Sequence, residues 1–201
     1  MKQIMIATKN KGKIREFRNL FATYNIDVLS LLDLDSTFSD IEETGTTFLE
    51  NAQLKAQQTS EQLHMPVLAD DSGLVIDALN GRPGIYSARY AGEGAADQDN
   101  IDLVMKELDG VPLINRSARF VCVLALSLVN GQTIFRKGYC EGKIALMQLG
   151  NHGFGYDPIF IPDGYEETMA ELSPTIKNSI SHRRDAINQL ETWLNKNIHL
   201  F

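Results

Sequence analysis

Four short stretches of the sequence place charged side chains where they could handle a phosphate. In ATKNKGK, residues 7–13, Lys9, Lys11 and Lys13 crowd the point at which a strand-like run gives way to a helical one. Such a turn aims free backbone N–H groups and the positive end of the helix dipole at an anion, and the lysines add charge there. It is not a P-loop, because the first glycine of G-x-x-x-x-G-K-[ST] is missing and Ile14 follows Lys13. In EETGTTFLENAQLKA, residues 42–56, Glu42 and Glu43 precede a helix that carries Asn51 and Lys55 four apart on one face. In LADDSG, residues 68–73, Asp70 and Asp71 end an apolar strand. Successive strand side chains point to opposite faces, so the two acids do different jobs. Acids at strand ends suit Mg²⁺, which takes one or two carboxylates and fills its other positions with water and substrate phosphates. In NSISHRRDA, residues 178–186, Ser181, His182 and Arg183 open the last helix, with Lys177 just ahead. The helix dipole opposes cations at that end, which points to an anionic or carbonyl-bearing partner. Each stretch also has a bland alternative: solvated lysines, helix caps, or an Asp-Ser-Gly turn.

A fifth stretch, FGYDPIF at residues 154–160, reads as a strand following the glycine-rich run 150–153. It is either a tight turn feeding an apolar edge or the wall of a ligand pocket. In the second case Phe154 offers a flat face while Gly153 and Gly155 let the backbone come close. A sixth, DLDST at residues 33–37, matches the D-x-D-x-T pattern of haloacid-dehalogenase-type phosphatases, with Asp33 as the aspartyl nucleophile. Those chains begin near the motif, whereas here a β-α unit with its own lysines precedes it.

The elements that would position these residues alternate. KQIMIAT is a strand, and KGKIREFRNLFATY is a helix with Ile14, Phe17, Leu20 and Phe21 on one face. IDVLSLL is a second strand; TTFLENAQLKAQQTSEQLH is a long helix capped by Thr46 or Thr47. PVLADDS and LVIDAL are two strand-like segments, residues 81–94 are a glycine-rich loop, and residues 97–109 are helical. RSARFVCVLALSLV and QTIFRKGYCEGKIAL form a long hairpin around Asn130-Gly131, a pair that favours a type I′ turn. The final helix, RRDAINQLETWLNKN, puts Ile187, Leu190 and Leu194 on one face. Helices mixed with strands around a hairpin predict an α/β fold with a mixed sheet.

Composition narrows the function. With 201 residues, 43% hydrophobic and 22% charged, the chain can build a large core as one domain spanning residues 1–201. The formal charge of −7 excludes a general nucleic-acid binder, which needs a broad basic surface. There is no apolar run of about 18 residues and no signal peptide at the polar N-terminus, so no membrane partner is expected and the cytoplasm is the expected compartment. Cys122 and Cys140 sit in apolar or strand-like runs, as buried thiols of a reducing compartment do.

Taken in order, ATKNKGK, EETGTTFLENAQLKA, LADDSGLVIDALNGRPGIYSARYAG, FGYDPIF and SHRRDA resemble the inosine triphosphate pyrophosphatase family over residues 7 to about 186. The resemblance implies a homodimer of two-lobed α/β subunits, a mixed twisted sheet flanked by helices, and an active site in the cleft between lobes. It implies Mg²⁺-dependent hydrolysis of the purine nucleoside triphosphates ITP, dITP and XTP to monophosphate and pyrophosphate. By position, Thr8, Lys9, Asn10, Lys11, Gly12 and Lys13 become the first substrate-contacting turn and Lys55 a second phosphate contact. Asp71 becomes general base and metal ligand, Ser72 a substrate contact, and Glu42 or Glu43 the other metal carboxylate. Phe154, Gly155, Tyr156, Asp157, Lys177, His182 and Arg183 become the base and sugar end. Two residues depart from the usual pattern: Lys9 and Arg184 stand where glycine is usual. Two rival activities remain: a nucleotide sensor that does not cleave, and the Asp33 phosphatase.

Overall fold

A computed structural model describes residues 2–34 and 41–200. Strand β1 (Lys2–Ile6) pairs in parallel with β2 (Ile26–Ser30), and helix α1 (Lys11–Ala22) makes the crossover that a parallel pair requires. Ile14, Phe17, Leu20 and Phe21, the stripe expected from spacing, are the buried residues of α1. Helix α2 (Phe48–Leu63) starts at Thr47, whose hydroxyl accepts the Glu50 N–H at 3.1 Å. It leads into β3 (Val67–Ile76), which pairs in parallel with β1 on the side away from β2. Helix α3 (Asp97–Glu107) precedes the hairpin of β4 (Ser117–Ser127) and β5 (Thr133–Ile144). Strand β6 (Phe160–Pro162) adds antiparallel to β5, and α4 (Pro174–Ile180) and α5 (His182–Asn197) close the chain. The result is a mixed six-stranded sheet, ordered β2-β1-β3-β4-β5-β6 and flanked by helices.

The chain forms two compact units: Met1–Asp71 with Val123–Lys137 and Ile187–Phe201, and Ser72–Cys122 with Gly138–Ala186. The first buries Ile4, Met5, Phe17, Phe21, Leu68, Leu124 and Leu126, together with the predicted α5 stripe of Ile187, Leu190 and Leu194. The second buries Leu74, Ile76, Val104, Leu108, Tyr156, Ile159 and Phe160 as one cluster.

Three local expectations need correction. PVLADDS and LVIDAL belong to one strand, because Gly73 continues the extended backbone; Asp70 and Asp71 therefore sit mid-strand, and residues 77–79 turn into a 3₁₀ helix. The hairpin is not type I′, which needs positive φ at both central residues. Gly131 is the positive-φ residue of the turn (84°), and its N–H donates to Leu128 O at 2.9 Å while Leu128 N–H donates to Gln132 O at 2.8 Å. Asn130 uses its side chain instead, accepting the Gln132 N–H at 3.0 Å. FGYDPIF is mostly not a strand: Asp157–Ile159 is a 3₁₀ turn, and extended structure begins at Phe160.

Arg116 is a buried structural cation, 5% exposed, in the second unit. Its guanidinium donates to the carbonyls of Val111 (2.9 Å), Ala145 (2.9 Å) and Leu108 (2.8 Å). Leu108 ends α3, so the charge also meets the negative end of that helix. A lysine there cannot reach three divergent carbonyls with a planar fork. Arg116→Lys is expected to cost about 2 kcal/mol and to lower the melting temperature by about 4–8 °C. An unchanged melting curve would show that Arg116 is not the tie described.

Candidate active site

In the first unit, α1, α2, β3 and the segment before α2 converge on a pocket of about 310 Å³. Thr8, Lys9, Lys13, Glu43, Lys55, Thr59 and Asp70 line it, with Ala7, Leu31 and Ile41 as apolar wall. The start of α1 is only partly the open anion site expected of it. Asn10 caps the helix, its Oδ1 accepting the N–H groups of Gly12 (2.9 Å) and Lys13 (3.1 Å). What faces the pocket is side-chain charge, while Lys11 and Gly12 are exposed.

The adjacent acids of β3 have different partners, as strand alternation requires. Asp70, 4% exposed, pairs with Lys13 Nζ at 2.7 Å. Asp71 accepts from Lys55 Nζ at 3.5 Å and from Asn51 Nδ2 at 3.3 Å. The same Lys55 ammonium donates to Glu43 Oε1 at 3.0 Å, which brings Glu43 into the cluster; Glu42 is exposed. Asn51 ties the acidic segment to the helix, its Oδ1 accepting the Gly45 N–H at 2.8 Å. A Cβ on Gly45 would lie 2.6 Å from that Oδ1, so the approach needs glycine. Asn51, Lys55 and Thr59 are four apart along α2 and form one polar stripe, with Asn51 and Thr59 buried and Lys55 half-buried. Thr59 was not anticipated; extending the Asn51–Lys55 spacing by one more turn would have found it.

Burial pushes the Asp71 carboxyl up to about 6, helped by Glu43 and Asp70 and opposed by Lys55 and Asn51. Burial pulls Lys55 down, but Asp71, Asp70 and Glu43 outweigh it and raise its pKa, so it stays charged. The folded protein thus holds the Asp71 proton more tightly than an unfolded chain with an ordinary value of 3.8. Stability is favoured while Asp71 is protonated and falls as pH rises from about 4 through about 6. Asp71→Asn removes that cost. In metal-free buffer the variant is expected to gain on the order of 2 kcal/mol at pH 7.5, with the gain shrinking toward pH 4.5. Thermal melts at both values test this, and a variant less stable than wild type at pH 7.5 would contradict it.

The second unit gathers another set. The turn before β6 lifts Phe154 out, leaving it 65% exposed, and sends Tyr156 into the core, where its hydroxyl donates to Ser87 O at 2.8 Å. Burial pushes the Tyr156 phenol well above its usual range. Buried Asp157 accepts the Phe154 N–H at 2.8 Å and forms an ion pair with Lys177, whose Nζ lies 4.8 Å from the Phe154 ring centroid. A Cβ on Gly153 would stand 2.0 Å from Asp157 Oδ2 and 2.8 Å from Lys177 Nζ, so that glycine makes room for the pair. Gly155 donates its N–H to Asp97 at 2.6 Å. His182 opens α5 and stacks on Phe120 of β4, with ring centroids 5.1 Å apart and planes at 18°. Arg183 is half-buried and Arg184 is exposed. Ser181 acts as a cap, its Oγ accepting the Arg184 N–H at 3.2 Å. Ser72, half-buried, follows Asp71 on β3.

Asp33 is a local cap. Its carboxylate accepts the Ser30 N–H (2.8 Å), the Ser30 hydroxyl (2.7 Å) and Arg18 (3.2 Å), and the Ser30 hydroxyl holds its pKa below the usual carboxylate value. Asp35, Ser36 and Thr37 of the same motif lie outside the described residues. Cys122 and Cys140 are free and buried, and burial pushes Cys140 up to about 12. Among the described residues, no helix is long and apolar enough to cross a membrane.

The fold and the pocket of paired acids and lysines define an α/β protein with a strongly charged site, and similarity to known proteins makes the assignment specific. The model described as Ham1 family matches residues 4–193, and the chain belongs to that family. A dITP/XTP pyrophosphatase of Oceanobacillus iheyensis is 62% identical over 194 residues, covering 96% of this chain and 98% of that one. The Staphylococcus aureus Ham1 protein structure superposes with a TM-score of 0.91 at 46% identity, covering 97% of this chain and 99% of that one. A Ham1 protein from Coxiella burnetii gives a TM-score of 0.91 at 43% identity, covering 98% and 100%.

Proposed function

We propose that the protein hydrolyses the non-standard purine nucleoside triphosphates dITP, XTP and ITP to the monophosphate and pyrophosphate, removing them from the nucleotide pool. The observation that carries this is the Lys55 ammonium shared by Glu43 and Asp71 beside the Lys13–Asp70 pair. Phosphoryl transfer needs charge neutralised and a nucleophile held in line, and little covalent help. Lys13 and Lys55 exchange their carboxylate partners for phosphate oxygens when substrate enters, and offset the charge developing on the pyrophosphate leaving group. Asp71 accepts a proton from water that attacks the α-phosphorus, as the Pα–O bond to pyrophosphate breaks. In the metal-free protein burial pushes Asp71 up to about 6, so it is still ionised at neutral pH and can accept that proton. Asn51 fixes the carboxylate by donating to it.

The donor set fits Mg²⁺, since Glu43 and Asp71 offer only hard oxygen ligands around one cation. An ion held there would take the Glu43 and Asp71 carboxylates and complete its shell with water and phosphates. Bound there, Mg²⁺ supplies charge neutralisation to the triphosphate. Phe154 stacks on the purine, backed by Lys177 and Asp157, and His182 and Arg183 donate to the 6-oxo group. A non-cleaving sensor has no use for this cluster of carboxylates, and the tied Asp33 makes a poor nucleophile. The cytoplasm suits two buried free thiols, and a homodimer follows from the family resemblance.

The test incubates ITP, dITP, XTP and ATP with the protein in Mg²⁺ or in chelator, removes the protein, restores excess Mg²⁺ to every sample, and reads phosphate with and without added inorganic pyrophosphatase. The proposal expects a signal only from incubations in Mg²⁺ that are read with pyrophosphatase, and faster release from the three non-standard nucleotides than from ATP. Orthophosphate without pyrophosphatase would overturn it.

A further inference from the structure

The start of α5 is seated by groups that none of the roles above uses. Gly138 of β5 lies against the helix so closely that a Cβ there would stand 2.1 Å from His182 O and 2.3 Å from Ala186 N. Both obstacles are backbone atoms of the first turn, so any side chain at 138 must push that turn outward. The next residue fixes the rotation: Tyr139 N–H donates to Asp185 Oδ2 at 3.0 Å. Asp185 also places negative charge in a first turn that carries the cations Arg183 and Arg184, which the helix dipole disfavours there. Phe120, on the neighbouring strand β4, stacks nearly parallel on the His182 imidazole and is itself packed on Phe160 at 4.6 Å.

We propose that Phe120 and Gly138 are positioning residues for base discrimination, acting through His182 and Arg183 and resting on the base-reading role proposed above. Stacking fixes the plane of the imidazole, and with it the directions along which the ring nitrogens, which lie in that plane, can donate or accept. The glycine contact and the Asp185 bond set how far the first turn stands from the sheet. Hydrogen-bond selection between a 6-oxo and a 6-amino purine depends on donors held in place, so loosening the seat weakens discrimination before it weakens cleavage.

The test compares kcat/KM for ITP and ATP in wild type, Phe120→Leu, Phe120→Tyr, Gly138→Ala and Val104→Ala, the last a buried α3 residue outside the site. Phe120→Leu is expected to lower the ITP-to-ATP ratio about tenfold through loss on ITP, with ATP turnover nearly unchanged. Phe120→Tyr keeps the ring and the ratio, and Val104→Ala lowers the melting temperature without moving the ratio. Gly138→Ala follows Phe120→Leu; should it fail to fold, the two Phe120 variants decide alone. The His182 ring protons, shifted by the Phe120 ring current, should move in Phe120→Leu and not in Val104→Ala. A wild-type ratio retained in Phe120→Leu overturns the proposal and leaves the proposed function intact. A wild type that does not prefer ITP overturns both.

Discussion

Asp71→Asn is expected to lower turnover of ITP by about three orders of magnitude, equivalent to about 4 kcal/mol of barrier, while nucleotide binding stays measurable. Asparagine keeps the size of the side chain but only one of the two acceptor oxygens that meet Asn51 and Lys55, and it cannot accept a proton from water and is a poor ligand for a hard cation. Both losses fall on the transition state more than on the ground state, so kcat drops and KM changes little. The same substitution relieves a buried carboxylate whose pKa is pushed up to about 6, so an almost inactive enzyme should also be the more stable one in metal-free buffer. A variant that kept more than about a tenth of wild-type turnover, only about 1.4 kcal/mol of barrier, would remove Asp71 from the role of base.

The second large effect concerns the base. A 6-oxo purine presents an acceptor where adenine presents an amine, so donors at that position favour ITP and face another donor when ATP is bound. His182 and Arg183 open α5 and Lys177 lies on α4, where it is already engaged with Asp157. Arg183→Ala is expected to cost about a hundredfold in kcat/KM for ITP and little for ATP, narrowing the ratio of the two. Equal losses on both nucleotides would make Arg183 a phosphate or structural residue and pass the reading of the base to His182.

Much of this was legible in the sequence where a single periodicity decides. The α1 stripe of Ile14, Phe17, Leu20 and Phe21 and the α5 stripe of Ile187, Leu190 and Leu194 are buried as spacing required. The acid and lysine positions were legible as types, but their pairing was not. Glu42 and Glu43 are neighbours in an irregular segment, and only the packing of that segment on α2, through Gly45 and Asn51, turns Glu43 toward Lys55. FGYDPIF misled because aromatic alternation imitates a strand; the positive φ of Gly153 (89°) and Gly155 (56°) makes a turn that exposes Phe154 and buries Tyr156. Gly73 misled in the opposite sense, since a glycine that suggests a break instead continues β3. Asp33 carried a catalytic signature by spacing alone, and its hydrogen bonds to Ser30 make it a cap. The seat of His182 depends on Phe120 and Gly138, which are 62 and 44 residues away in the chain, beyond the reach of any local pattern.

Hydrolysis of ITP in ¹⁸O-labelled water, followed by mass analysis of the products, tests the central claim most directly. Attack by an Asp71-activated water at the α-phosphorus places the label in the monophosphate and leaves pyrophosphate unlabelled. Label in pyrophosphate, or in orthophosphate released as the first product, would contradict it.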